Sequence, residues 1–286
     1  MAEWQDYLEG KDPAEHTISG RVRVWRSVHS PQLNNQRDVM VYLPPSHGQS
    51  DRRYPVIYMH DGQNLFDAAT SFAGEWQVDE AMETLAAEGC EAIVVAISNI
   101  GPRRVHEYSP FRHFKMGGGQ GEKYVDFITE TLKPIIDTDF QTLTGRGYTG
   151  IVGSSLGGLI STFAFFHRPD IFGFMGALSP AYWFAGKAIY PYIQEQPYAG
   201  GRIYLDVGTA EMGQSRGSGY FRQNAREVAE LLARKGYRYN DDLLFVVDEG
   251  AAHTESAWAR RIPNALRFLL NGTVPTQNVN AERETA

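Results

Sequence analysis

Ile151-Val152-Gly153-Ser154-Ser155-Leu156-Gly157-Gly158 is the stretch whose reading decides the fold. Ser155 stands between Gly153 and Gly157 in the order G-x-S-x-G, which suits a serine on a sharp turn between a buried strand and a helix. Such a turn crowds the backbone so closely that only hydrogen fits at the flanking positions. It lifts the serine hydroxyl to the sheet edge and points the next amide, on Leu156, at the same spot. Glycine and serine are common, so the pattern draws its weight from its surroundings. Residues 148–152 read as a strand entering the turn, and the apolar run 159–166 reads as a buried helix leaving it.

Strand and helix signals alternate on both sides of this turn. Residues 20–29 and 38–43 read as an antiparallel pair of strands around Asn34-Asn35-Gln36. Further strands are expected at 54–59, 92–97, 174–178, 202–207 and 243–247. Helices are expected at 76–88, 122–136 (closing near Pro134), 224–235 and 255–270. Residues 99–121 are irregular and end in Gly117-Gly118-Gly119, which lacks the Lys-Ser/Thr ending of a phosphate loop and reads as a hinge. The alternation predicts an α/β protein with a mostly parallel central sheet, antiparallel N-terminal edge strands and helices on both faces. No repeat or Pro/Gly/Ser-rich linker divides it. The expected organisation is a polar arm over 1–19, one α/β domain over 20–270 and a polar tail over 271–286.

The chain has 286 residues, 42% of them hydrophobic and 21% charged, enough apolar material for a sizeable core. A formal net charge of -7 without any basic run argues against nucleic acid or an anionic membrane as a partner. The single cysteine, Cys90, excludes an internal disulfide and a multi-cysteine zinc site. The eight histidines are scattered, without the clustering expected of metal ligands. No secretory leader and no apolar run of ~20 residues is read from the sequence, which makes the cytoplasm the default location.

A serine hydroxyl needs an adjacent base, and the base needs a carboxylate to fix its tautomer. In sheets of this kind the order along the chain is Ser, then Asp or Glu, then His, each just past the C-terminal end of a strand. His253 follows the last strand and precedes the last helix, where the base belongs, whereas His167 reads as a cap at the end of the helix after Ser155. For the acid, Glu211 lies in the loop beyond strand 202–207, and Asp206 lies inside that strand. The loop position suits the orienting role better. Asp206 reads as a brace, and Asp248, five residues before His253, is a weaker choice. The oxyanion site needs two amides. Leu156 N–H supplies one. Gln63 N–H, in the loop His60-Asp61-Gly62-Gln63-Asn64, supplies the other. His60 and Asp61 are expected to brace that loop.

Five segments carry a resemblance: 58–67, Arg104-Val105-His106-Glu107-Tyr108, the turn around Ser155, Ser179-Pro180-Ala181-Tyr182-Trp183, and His253-Thr254-Glu255-Ser256-Ala257-Trp258. Together they resemble the putative-esterase family, which includes esterase-D-like enzymes, enterochelin esterases, feruloyl and acetylxylan esterases, and mycolyltransferases. The resemblance runs from about residue 39 to 270. It implies an α/β-hydrolase fold and serine-dependent ester cleavage without metal or cofactor. It also implies Ser155 as nucleophile, His253 as base, and Glu211 as the acid after the G-T-x-[DE] turn.

Trp183, Tyr182, Tyr108 and Phe66 are expected to meet above Ser155 and to line the substrate pocket. Arg104 is expected either to pair with Glu107 and hold the long loop or to touch substrate. The reading is a serine carboxylic-ester hydrolase acting on a small acyl, aryl or sugar ester. The alternatives are an acyltransferase with the same triad and a binding module that has kept the fold. Oligomeric state is not readable from the sequence.

Overall fold

The computed structural model describes residues 3–272. The polar tail expected over 271–286 therefore lies, from residue 273 onward, outside the described residues. A nine-stranded sheet forms the centre. Its strands are β1 (Gln5–Asp6), β2 (Arg21–Ser30), β3 (Asn35–Leu43), β4 (Val56–His60), β5 (Ile93–Ile97), β6 (Thr149–Ser154), β7 (Phe174–Leu178), β8 (Arg202–Gly208) and β9 (Leu243–Asp248). They lie in the order β1-β2-β3-β5-β4-β6-β7-β8-β9. β1, β2, β3 and β5 pair antiparallel, and every pairing from β5 through β4 to β9 is parallel. This is the α/β-hydrolase arrangement expected from the sequence.

The central strands β4, β5, β6 and β7 are buried at every residue. That is why they read as continuous apolar runs rather than as alternating ones. Alternation survives in which core each side chain enters. Tyr58 and Ile151 join the core under the helix α2 (Leu156–His167), while Ile57, Met59 and Val152 join the opposite one. That opposite core packs against α1 (Val78–Ala87) and α4 (Glu255–Leu270), through Val78, Met82, Leu85, Trp258, Ile262 and Leu266.

Three elements depart from expectation. The helix expected to close near Pro134 runs as one rod from residue 121 to 139, with a widened π turn over Phe127–Leu132. Pro134 is the second residue of the regular helical segment Lys133–Asp139 that follows the wide turn, an early position where proline is tolerated. The helix α3 (Arg216–Lys235) starts eight residues earlier than predicted, because Gly217 and Gly219 suppress the helical signal there. Gly117–Gly118, expected as a hinge, pairs antiparallel with Arg112–His113 in a small ribbon. The N-terminal arm is laid against the sheet: β1 extends it, and the buried Tyr7 donates to Asp67 at 2.7 Å. No helix of the described residues is long and apolar enough to cross a membrane.

Candidate active site

Parallel strands deliver the expected residues to one edge of the sheet. Ser155 follows β6, Ser179 follows β7, Glu211 lies three residues beyond β8, and His253 lies five beyond β9. β8 and β9 are neighbours, and their outgoing loops are stitched by Thr209 N–H to Asp248 O (3.0 Å) and Ala210 N–H to Ala251 O (2.9 Å).

Ser155 has φ 54 and ψ −120, a conformation that costs an L-residue energy and persists only where its surroundings enforce it. The enforcement is visible. Ser155 N–H donates to Leu178 O (3.0 Å), and its carbonyl accepts from Ala181 N–H (2.9 Å) and Leu159 N–H (3.1 Å). A Cβ at Gly153 would stand 2.7 Å from His60 Cδ2 and 2.8 Å from the Gly157 carbonyl carbon, so only glycine fits. Leu156 is the first residue of α2, and its N–H therefore has no acceptor within the helix.

His253 Nδ1 and Glu211 Oε2 are 2.5 Å apart. The other carboxylate oxygen, Oε1, accepts from Ser179 Oγ–H (2.6 Å) and Gly208 N–H (2.5 Å). Glu211 is buried, which by itself raises a carboxyl, but the hydrogen bonds from His253, Ser179 and Gly208 N–H outweigh burial and hold it below the usual carboxylate range. The imidazole packs between the Trp258 indole (5.0 Å between ring centroids, 83°) and Phe221 (5.2 Å). Ser179 Oγ is the hub behind the pair, also accepting from Trp258 Nε1 (3.1 Å) and Arg261 Nη2 (2.9 Å). The turn from Leu178 to Ala181 thus holds the Ser155 backbone from two sides and carries the hydroxyl that supports Glu211. Ser155 and His253 are not hydrogen-bonded to one another here. Such contacts are commonly long before substrate binds.

Asp206 braces, as the in-strand position suggested. It is fully buried, accepts from Ser179 N–H and Tyr204 O–H (both 3.0 Å), and pairs with Arg261 at 3.1 Å. Burial pushes its carboxyl up to about 6 against the pull of Arg261. Asp248 pairs with Arg260 at 2.8 Å.

Gln63 lies in the short turn Gly62–Asn64 beyond β4, entered through Asp61 at φ 56. Gly62 presses on β5, where a Cβ would come within 2.7 Å of the backbone of Ala96 and Ile97. His60 and Asp61 brace this loop as expected: His60 Nδ1 lies 2.9 Å from Tyr124 OH, and Asp61 N–H donates to Tyr108 OH at 3.0 Å. Arg104 is engaged differently from the predicted pairing with Glu107. Its Nε and Nη2 each reach an oxygen of Asp61 at 2.7 Å, and Asn99 adds a third bond at 2.7 Å. Glu107 is taken instead by Arg37 and Asn35, deep in the protein. Asp61 stands two residues before Gln63, so Arg104 clamps the loop that carries Gln63.

The expected aromatic pocket needs correction. Tyr108, Tyr182 and Phe66 have no exposed surface, so none is available to a ligand in this arrangement. Their burial is compatible with their chemistry, since both tyrosine hydroxyls find internal partners, Tyr108 with Asp61 N–H and Tyr182 with Thr162 (2.7 Å). Trp183 is half-buried, 6.2 Å from Phe221, which in turn packs 5.2 Å from His253. Phe221 was missed because the start of α3 was. Ser179, Trp258 and Arg261 were missed as supports, although the segments holding Ser179 and Trp258 had been singled out. A groove of about 1720 Å³ lies along β9 and α4; Arg261 is among its lining residues, but Ser155, Glu211 and His253 are not. Chemistry, not volume, locates the site.

A strained serine at the strand-to-helix turn, with a histidine–carboxylate pair past neighbouring strands, is the layout of α/β-hydrolase esterases. The chain belongs to the family described as Putative esterase, whose pattern matches residues 30–269. It is 27% identical over 241 residues to the uncharacterized protein YbbA of Bacillus subtilis, spanning 82% of this chain and 92% of that one. It is also 27% identical over 271 residues to the ferri-bacillibactin esterase BesA of the same organism, spanning 85% and 88%. The siderophore hydrolase EstA of Aspergillus nidulans shares the fold, with a TM-score of 0.71 at 19% identity over 88% of this chain and 95% of that one.

Proposed function

We propose that this esterase cleaves carboxylic esters through an acyl-enzyme on Ser155. His253 takes the Ser155 proton as the hydroxyl attacks the ester carbonyl. Glu211 holds the imidazole with Nδ1 protonated, leaving Nε2 free to accept. The N–H groups of Leu156 and Gln63 receive the oxyanion, His253 passes its proton to the leaving alcohol, and water then releases the acid. The observation that carries this reading is the Glu211–His253 pair at 2.5 Å, fastened from behind by the turn that also grips Ser155. Family membership supports ester hydrolysis. The substrate class is a small acyl, aryl or sugar ester, and the half-buried Trp183 beside Phe221 favours one that brings a ring. The test is turnover of a p-nitrophenyl ester panel by the wild type and by Ser155→Ala. Loss of turnover in the variant supports the reading, and an unchanged rate contradicts it. Product analysis with an added alcohol separates hydrolysis from acyl transfer.

A further inference from the structure

Away from Ser155, at the start of α1, three carboxylates converge without a cation. Glu75, Asp79 and Glu80 each place one oxygen within 4.8 Å of the others. Asp79 is wholly buried. Its Oδ2 accepts from Ser19 N–H at 2.7 Å, but no donor outside the cluster reaches its Oδ1 or the buried Oε2 of Glu80. Burial, with the Glu80 carboxyl set against it, pushes the Asp79 carboxyl up to about 9. Glu75 faces the Thr17 hydroxyl at 3.0 Å. Among the described residues no lysine, arginine or histidine pairs with any of the three. Of the other acidic neighbours, Glu83 is bonded to Tyr42 and Asp67 to Tyr7 and His16. Every other buried carboxylate described above has donors on both oxygens. This cluster instead turns lone pairs toward one another, and burial removes the water that would separate them.

We infer that Glu75, Asp79 and Glu80 form a binding site for a hard divalent cation, calcium in preference to magnesium, faced by Asp79 Oδ1 and Glu80 Oε2, which no donor outside the cluster reaches. The donor set is all oxygen, with neither imidazole nor thiolate, which selects against zinc and copper. Three carboxylates on a bent segment suit the larger, less demanding coordination sphere of calcium better than the strict octahedron of magnesium. Glu75 and Glu80 are only half-buried, which gives the ion an entry path and leaves room for water ligands. The site has a structural consequence. It ties residues 17–19 to α1, and Trp76, between the ligands, packs 5.4 Å from Trp258, the indole that supports Ser179.

The test uses the full chain after exhaustive chelation. Unfolding temperature and titration heat are measured with calcium chloride alone and magnesium chloride alone, up to about 5 mM, for wild type, Asp79→Asn and Glu80→Gln. The expected result is a saturable rise in unfolding temperature and a Kd of about 10⁻⁵–10⁻³ M for calcium, weakened at least tenfold in both variants. Glu80→Gln changes a half-exposed residue and keeps the test decisive if Asp79→Asn fails to fold. The inference is overturned if neither cation shifts the wild type. It is equally overturned if the shift persists undiminished in Glu80→Gln, or if chelated Asp79→Asn matches the wild type and neither responds to cation, which would mean that Asp79 and Glu80 share a proton. None of these outcomes bears on Ser155.

Discussion

Replacing Glu211 by glutamine isolates the part of the site that sets the histidine tautomer. The carboxylate uses both oxygens: Oε1 accepts from Ser179 O–H and Gly208 N–H, and Oε2 faces His253 Nδ1. Glutamine has one acceptor oxygen. Two donors, one of them a fixed backbone amide, claim that oxygen for the Oε1 position. The NH₂ group then faces Nδ1 and forces the imidazole to carry its proton on Nε2, the nitrogen that has to receive one from Ser155. The side chain keeps its two inner hydrogen bonds, so the fold should be little affected, with an unfolding temperature within a few degrees of the parent. The catalytic loss should resemble that of a triad held in the wrong tautomer, about 10³–10⁴ in kcat, or about 4–5.5 kcal/mol of transition-state stabilisation. Steady-state hydrolysis of an aryl ester gives kcat, and calorimetry checks the fold. Asp206→Asn is the control: Asp206 touches Ser179, Tyr204 and Arg261 rather than His253, so its variant should lose stability more than turnover. If Glu211→Gln kept kcat within about threefold while Ser155→Ala was inactive, the orienting role of Glu211 would be refuted.

Ser179→Ala removes a donor to Glu211 and strands Trp258 Nε1 and Arg261 Nη2 in the core. It should cost about 2–4 kcal/mol in urea unfolding, with a fall in kcat of about tenfold. An unchanged midpoint would remove Ser179 as the hub. Arg104→Met leaves the Asp61 carboxylate with Asn99 alone at the entry to the Gln63 loop, the proposed oxyanion loop. Because Arg104 is partly exposed, a loss of about 2–3 kcal/mol is expected, below the range for fully buried pairs. kcat should fall with it, and full activity would show that the loop does not need the clamp. Burial holds the His60 imidazole down at about 3, with Asp61 opposing and Arg104 and Arg37 adding to the depression. The folded value lies below the unfolded one, so between about 6.5 and 3 only the unfolded chain takes the proton. This contribution is complete above about pH 6.5 and is lost as pH falls, at about 1.4 kcal/mol per pH unit. His60→Gln should flatten the stability slope between about pH 6 and 4.5 by that amount in urea titrations, and parallel slopes would exclude His60 as the source.

The placement of Ser155, Glu211 and His253 at one edge of the sheet was largely legible because these residues are spaced by strand ends. Gly153 and Gly157 report crowding, and His253 falls in the only loop between the last strand and the last helix. The loop position favoured Glu211 over Asp206, and the structure separates them by partner, Glu211 meeting His253 and Asp206 meeting Tyr204 and Arg261; the support from Ser179 is a cross-strand contact that no local pattern encodes. The aromatic rim misled for a related reason. A loop aromatic next to a motif is placed near the site by the chain, but whether its ring points outward depends on internal partners such as Asp61 N–H for Tyr108 and Thr162 for Tyr182. Phe221 stayed hidden because Gly217 and Gly219 masked the first turns of its helix. Arg104 was read with the acid nearest in sequence, Glu107, while the longer-range pair of Arg37 with Glu107 left Arg104 to Asp61.

The claim on which the rest depends is that Ser155 is the acylated nucleophile. Intact-protein mass measurement after exposure to an aryl alkylphosphonate, followed by peptide mapping, tests it directly. The account predicts one phosphonyl group per chain, located on Ser155, together with loss of esterase activity, and no labelling of Ser155→Ala. Stoichiometric labelling of another residue, or inactivation with Ser155 unmodified, would contradict it.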